Sequence, residues 1–296
     1  MLDVLLLMLA LLFTAVLWIM IYDSNRFVVL RHEIRDRRIR GRCRMVFLSD
    51  LHNKQFGRGN ARLLKAIEEL EPDAVLIGGD MINGKPGEKL EGAVSLLRAL
   101  AEKYPVYYAN GNHEHRIKLY PATYGDAAEK YDRALKELGI RPMVNTHVQL
   151  PGVNLTIYGS EIGKYYYKRF TVPEMEPDYL SGLLGRPRPE DYTVLLAHNP
   201  DFFPRYAQWG ADLVLSGHVH GGIVRIPFWG RGLLSPNVRF FPKYDGGVFR
   251  EGNSTMILSR GLGIHTIPFR LFNPGELIVI DFAGDETECP GTGAEQ

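Results

Sequence analysis

CRMVFLSDLH, residues 43–52, decides the fold. Its apolar run, Met45 to Ser49, reads as a buried strand that delivers Asp50 and His52 at its carboxyl end. The pattern recurs along the chain. AVLIGGD, residues 74–80, is a second buried strand ending in a glycine turn and Asp80. VYYANGNHE, residues 106–114, is a third strand that ends in a loop bearing Asn112 and His113. TVLLAHNP (193–200) and LVLSGHVHGG (213–222) are buried runs that end at His198 and at His218 and His220.

Amphipathic stretches separate the first strands. Residues 60–70 place Leu63, Leu64, Ile67 and Leu70 on one helical face, and further helices are expected over 87–101 and 124–138. Such strand–helix units predict a largely parallel, covered sheet. Short strands dominate the second half, at 148–150 with 155–159, then 223–226, 248–249, 256–259 and 277–281. Residues 164–184, including Lys164 and Tyr165 to Tyr167, read as a loop or short capping helix near an opening. Residues 230–247 form a long excursion rich in glycine and proline, and residues 284–296 are expected to be disordered.

Every polar motif thus follows an apolar run, and strand carboxyl ends line the ligand crevice of open α/β sheets. Asp50, His52, Asp80, Asn112, His113, His198, His218 and His220 combine hard oxygen with imidazole nitrogen. That donor set suits Mn, Fe or Zn better than Mg or Ca. If the segments are extended, Asp50 and His52 point the same way, as do His218 and His220, so each pair can converge on one ion. Either dipeptide alone would be an ordinary structural histidine; five clusters, each after a buried strand, point to metal.

The other end of the chain speaks of a membrane. From Val4 to Tyr22 no residue is charged, and these 19 residues make a helix of about 28 Å, close to the hydrocarbon thickness of a bilayer. Trp18 and Tyr22 fall near its far edge, where amphipathic rings are favoured. A cleaved signal peptide would carry positive charge where Asp3 stands and a small-x-small cleavage site, which is missing here. A buried soluble helix would hardly be followed by Arg26, Arg31, Arg35, Arg37, Arg38, Arg40, Arg42 and Arg44. A single-pass anchor is therefore expected, with the body on the cytoplasmic side by the positive-inside rule and the arginines near anionic headgroups.

The composition hides this division. The 35 Lys and Arg nearly balance 34 Asp and Glu, yet residues 24–44 carry +6 and residues 45–296 carry −3. An apolar fraction of 45% and only two cysteines, Cys43 and Cys289, exclude a disordered chain, a collagen and a disulfide scaffold. No reading module or aromatic interleaving accompanies the arginines, so nucleic acid is not the expected partner. The expected division is an anchor over 1–23, a basic juxtamembrane linker over 24–43, one domain over 44–283 and a tail over 284–296.

The ordered set DxH, GD, GNHE, H and GHxH resembles the calcineurin-like metallophosphoesterases. SDLHNKxFG, AHNPDFF, SGHxHGG and SRGLG–PxR resemble in particular the bacterial YkuE-like and YaeI-like phosphoesterases, over about residues 44–282. The resemblance implies a four-layer αββα sandwich with a dimetal site at the sheet edge, holding two divalent or mixed-valence ions of Mn, Fe or Zn. It implies that Asp50, His52 and His220 hold one metal, that Asp80 bridges, and that Asn112, His198 and His218 complete the other. His113 would orient phosphate or protonate the leaving group, and a bridging water or hydroxide would be the nucleophile.

Two positions depart from the family pattern. Asn83 stands where relatives often carry a second Asp after GD, and Val219 and Ile223 stand where Thr and Gln are common. Asn83 can still donate a hydrogen bond behind the ligands. Weaker candidates for substrate contact are Asn53, His115, Arg116 and Arg270, with Arg260 and His265 in the same glycine loop; His32 and His147 read as surface residues. The expected function is a membrane-anchored hydrolase of a phosphodiester or pyrophosphate whose substrate is lipid-linked. A UDP-2,3-diacylglucosamine pyrophosphate hydrolase, a non-catalytic membrane scaffold and a nucleic-acid phosphodiesterase are the alternatives.

Overall fold

The computed structural model describes residues 1–222, 224–227, 229–235, 240–264 and 269–284. Ile223, His265 and the expected tail beyond residue 284, with Cys289, lie outside them. The chain opens with helix α1 (Leu2–Ser24), followed by strands β1 (Phe27–Arg35) and β2 (Arg42–Leu48). Then come α2 (Ala61–Glu69), β3 (Ala74–Ile77), α3 (Glu91–Ala101), β4 (Val106–Tyr108), α4 (Asn112–Leu119), α5 (Pro121–Tyr124) and α6 (Ala127–Glu137). The second half contributes β5 (Thr146–Leu150), β6 (Leu155–Ser160), α7 (Tyr179–Leu184), β7 (Tyr192–Ala197), α8 (Phe203–Trp209), β8 (Leu213–Ser216), β9 (Gly247–Glu251), β10 (Ser254–Leu258) and β11 (Gly275–Ala283).

Two sheets stack face to face. One runs β1-β11-β2-β3-β4 and the other β5-β6-β7-β8-β10-β9. Met45, Phe47, Leu76, Ile278 and Ile280 from the first pack against Ile157, Val194, Leu196, Leu215 and Ile257 from the second. The strands present apolar side chains on both faces, so each sheet needs cover outside as well. Leu63, Ile67, Leu96, Leu97, Leu100, Tyr131 and Leu135, from α2, α3 and α6, cover the first sheet. Leu180, Leu184, Phe203, Tyr206 and Trp209, from α7 and α8, cover the second. Helix, sheet, sheet, helix is the four-layer sandwich expected.

The strands are largely parallel, with antiparallel pairings at β11–β2, β5–β6 and β10–β9. Three local expectations differ. The helix expected from 124 to 138 is α6, which starts only at Ala127 because Gly125 (φ +57°) ends the separate short helix α5 just before it. Asn112 opens helix α4 instead of sitting in a loop. Residues 224 and 225 make only isolated bridges, to Leu271 and Gly232.

The largest difference concerns residues 24–43. Phe27 to Arg35 is a strand, hydrogen-bonded in parallel to β11 over its whole length. Alternation explains it: Leu30 and Ile34 pack into the core between the sheets while Arg31, Glu33 and Arg35 face water. Register fixes the direction. Phe27 lies beside Gly275, at the end where β2 and β3 deliver Asp50 and Asp80, whereas Arg35 lies beside Ala283 and Arg42 at the opposite end. Helix α1 therefore joins the body at the motif-bearing end, and most of the arginine run travels away from it. Arg38 is tied to Asp36 and Asp212, and Arg44 to Asp281, so both knit the body together.

Candidate metal centre

The strands β2, β3, β7 and β8 end side by side, and the polar motifs converge there. The residues do so in left-handed backbone, with φ of +53° at Asp50, +48° at His52, +52° at Asp80, +74° at His218 and +50° at His220. Extended alternation is thus not what aligns the pairs; sharp turns just past the strand ends do. Non-glycine residues held in this region are strained, and such strain concentrates at functional sites.

Three groups result, each with donor atoms within 4.8 Å of one another: Asp50, His52 and His220; His52, Asp80 and His113; Asp80, His198 and His218. Asp80 and His52 are each shared between two groups. The His52 and His220 Nε2 atoms stand 3.1 Å apart, and His220 Nε2 lies 3.4 Å from Asp50 Oδ1. On the other side His198 Nε2 lies 3.1 Å from Asp80 Oδ2. Asn112 points a buried Oδ1 that has no hydrogen-bond partner among the described residues. Clustered imidazoles, carboxylates and an orphaned amide oxygen are a donor set that a cation satisfies.

The surroundings orient these donors. His52 Nδ1 faces the Ile82 carbonyl at 3.1 Å and His198 Nδ1 the Gly78 carbonyl at 2.7 Å, which turns each Nε2 toward the cluster. Asp50 accepts the Ser49 hydroxyl at 2.6 Å and the His218 amide at 3.0 Å. Asp80 Oδ1 accepts the His113 amide at 2.8 Å, leaving Oδ2 toward the imidazoles. No room is left for a Cβ at Gly111, which would overlap the Asp80 carboxylate. Asn83 Nδ2 donates to the His52 carbonyl at 3.1 Å, the supporting bond expected of it.

The electrostatics follow from burial. Burial raises the Asp50 carboxyl to about 6, against the opposing pull of His198. Burial acts likewise on Asp80, but His113 and His198 outweigh it and hold that carboxyl well below its ordinary value. For His198 burial lowers the pKa, and the carboxylates of Asp80 and Asp50 overcome it, raising the imidazole to about 10. In the metal-free protein protons therefore stand in for cations.

The weaker candidates separate cleanly. His115 and Arg116 line a cavity of about 120 Å³ beside Asn112, together with Leu119, Lys164 and Tyr167. Asn53 does not reach the centre: it receives the Ala93 amide and donates to Glu88 and Lys89, so it fastens the start of α3. Arg270 does not face the cleft either. Its guanidinium is buried and donates to the carbonyls of Arg260, Gly261, Gly263 and Asn273, holding the loop before β11.

One residue was missed and another underread. Glu114 is fully buried and receives the amides of Asp80 (2.8 Å), Met81 (2.8 Å) and Gly111 (2.9 Å) plus the Tyr108 hydroxyl (3.2 Å). It shapes the turn that presents Asp80; the only hint was its place in GNHE. Tyr167, expected at the mouth, sets its ring edge-on to His218 at 5.3 Å.

The model of the calcineurin-like phosphoesterase family matches residues 43–222. The chain is 28% identical over 218 residues to an uncharacterized metallophosphoesterase, YkuE, of Bacillus subtilis, covering 73% of this chain and 70% of that protein. It is 29% identical over 241 residues to an uncharacterized metallophosphoesterase of Helicobacter pylori, covering 79% of this chain and 58% of that one. A zebrafish transmembrane protein with a metallophosphoesterase domain is 28% identical over 246 residues, which are 79% of this chain and 52% of the relative. The chain thus spans only about half to two thirds of the length of several relatives. With the matched region running from the first motif through GHVHGG, the chain belongs to the calcineurin-like phosphoesterase family, whose members are metal-dependent phosphoesterases.

Proposed function

We propose that the protein is a membrane-anchored phosphohydrolase that cleaves a phosphodiester or pyrophosphate with two metal ions. The observation that carries this is the sharing of Asp80 and His52 among three adjoining donor groups, which suits a pair of ions better than one. Asp50, His52 and His220 would hold one ion, Asn112, His198 and His218 the other, with Asp80 between them. The chemistry such a pair of Mn, Fe or Zn ions supplies is Lewis acidity at the phosphoryl oxygens and a water of lowered pKa.

The chain's own residues do the rest. His113, whose Nε2 lies 3.7 Å from Asp80 Oδ2, is placed to orient the phosphate and protonate the leaving oxygen. Arg116 and Lys164 flank the adjacent cavity and would face the charge of a second phosphoryl or ester group. Tyr167 shields His218 from water. Helix α1, 23 residues long with an unburied 18-residue stretch of mean hydropathy 2.9, is long enough to span a bilayer. Arg26 and the arginines that follow favour a cytoplasmic body. Because α1 enters at the end that bears the centre, the substrate is read as lipid-linked.

The test is hydrolysis by the full chain reconstituted with Mn, Fe or Zn. Phosphomonoesters, diesters, cyclic nucleotides, nucleotide-sugar lipids and phospholipids serve as substrates. Diester or pyrophosphate cleavage that disappears in Asp80→Ala, together with loss of bound metal, is expected. Undiminished turnover in Asp80→Ala would sink the assignment.

A further inference from the structure

The junction between α1 and the body is tightly built. Asp23, only 2% exposed, accepts the Asn273 amide at 3.1 Å, and Ser24 Oγ accepts the Arg270 amide at 3.0 Å. The Asn273 side chain in turn donates to the His220 carbonyl at 2.7 Å. Two hydrogen-bonding steps thus connect the end of the helix to the metal centre. Lys54 reaches Asn25 Oδ1 at 2.9 Å and Arg62 its carbonyl at 3.2 Å, so basic groups collect where the helix meets the body.

Exposed aromatics occupy the same region. Phe272, between Leu271 and Asn273, is 38% exposed with φ at +54°. Leu271 is bridged to Val224 and accepts the Arg225 amide at 3.1 Å, at the base of a hairpin in which Arg225 pairs with Gly232. Its turn carries Trp229, 64% exposed, whose ring lies 5.9 Å from that of Phe241. Phe241 is 47% exposed with φ at +48°, and Phe240 is 68% exposed. The base is rigid: Arg225 is buried and donates to the carbonyls of Gly221 (3.0 Å), Asp245 (2.8 Å) and Gly230. Lys243, two residues beyond Phe241, is exposed with its ammonium 4.9 Å from the Tyr244 ring centre.

Two phenylalanines in left-handed backbone, with their rings held out on a fixed frame, are a strained arrangement kept for use. Aromatic rings flanked by lysine and arginine are the chemistry of the membrane interface. We infer that Trp229, Phe240, Phe241 and Phe272 form a rim seated in the headgroup region of the bilayer that holds α1. The occupant of this apolar surface is lipid, because Phe272 adjoins Asn273, whose amide is held by Asp23 at the end of the anchor, and Leu271 is bridged to the hairpin that carries Trp229. Seated so, the metal centre would meet phosphates at the depth of the headgroups.

The inference rests on the anchored reading of the protein but is tested without turnover. The full chain, with Cys43→Ala and Cys289→Ala, is placed in nanodiscs of phosphatidylcholine and phosphatidylglycerol. A nitroxide is attached at Trp229→Cys, Phe241→Cys or, at the opposite end in the β9–β10 turn, Asn253→Cys. Collision with oxygen relative to a water-soluble nickel chelate should be several-fold higher at 229 and 241 than at 253. Equal, water-like accessibility at all three would overturn the rim. So would inaccessibility to both reagents at 229 and 241, which would mean a second copy covers them. Hydrolysis by Trp229→Ser provides a second readout: a KM several-fold higher for a vesicle-borne diester, with an unchanged rate on a soluble aryl diester. A nitroxide in lipid without any hydrolysis would uphold the rim and refute the enzymatic reading.

Discussion

His198 illustrates how single residues set the behaviour of this site. Its pKa in the folded, metal-free protein, about 10, exceeds the ordinary 6.5 because the Asp80 and Asp50 carboxylates outweigh its burial. The stability this contributes is complete below about pH 6.5 and lost as pH rises through about 10. A cation at the cluster must displace that proton. Metal binding at pH 7 should therefore release protons, visible as a binding enthalpy that depends on the buffer's ionisation enthalpy; no buffer dependence would refute the coupling. Glu114 is the second such residue. Glu114→Gln turns an amide donor toward backbone amides that need an acceptor, and should cost about 2–4 kcal/mol in urea unfolding. Metal occupancy should fall with it, because the turn that presents Asp80 loosens. The ligands themselves were legible in the sequence, since Asp, Asn and His each follow an apolar run. Glu114 was not, because one acid in GNHE carries no sign that backbone amides and a tyrosine hydroxyl will surround it.

At the scale of elements, β11 matters most. It lies between β1 and β2 and contributes Ile278 and Ile280 to the core between the sheets. Ile280→Ala removes a fully buried side chain from well-packed surroundings and should destabilise the body by about 2–5 kcal/mol, measured by denaturant titration. The core strands were readable from their apolar runs. Strand β1 was not, because its outward arginines dominated the composition while Leu30 and Ile34 supplied the only period-two signal. The geometry of the turns was equally hidden: in their left-handed turns the Asp50 and His52 amides donate to the distant Gly79 and Asp80 carbonyls, which the local dipeptides do not announce.

Across the whole molecule, the arginines need a revised account. Nine residues of β1, at about 3.3 Å each, carry the chain roughly 27 Å from the end where the anchor joins to the end near Arg37 and Arg40. Screening extends only about 8 Å at physiological salt. Arg37→Ala with Arg40→Ala should thus leave activity on anionic vesicles within about twofold of the parent; a large loss would show that the far end also meets lipid. Arg26, stacked on Tyr22 at 4.8 Å, is the arginine placed to act at the surface.

The central place of β11 also imposes an order of events. The ribosome completes β2 roughly 230 residues before β11 emerges, an interval of about 10–45 s at ordinary translation rates. Throughout it, β1 has no partner and β2 has one open side, while the apolar helix has already been offered to the membrane. The protein must pass through a tethered, half-built sheet that awaits its last strand, and any truncation upstream of Gly275 would leave it there.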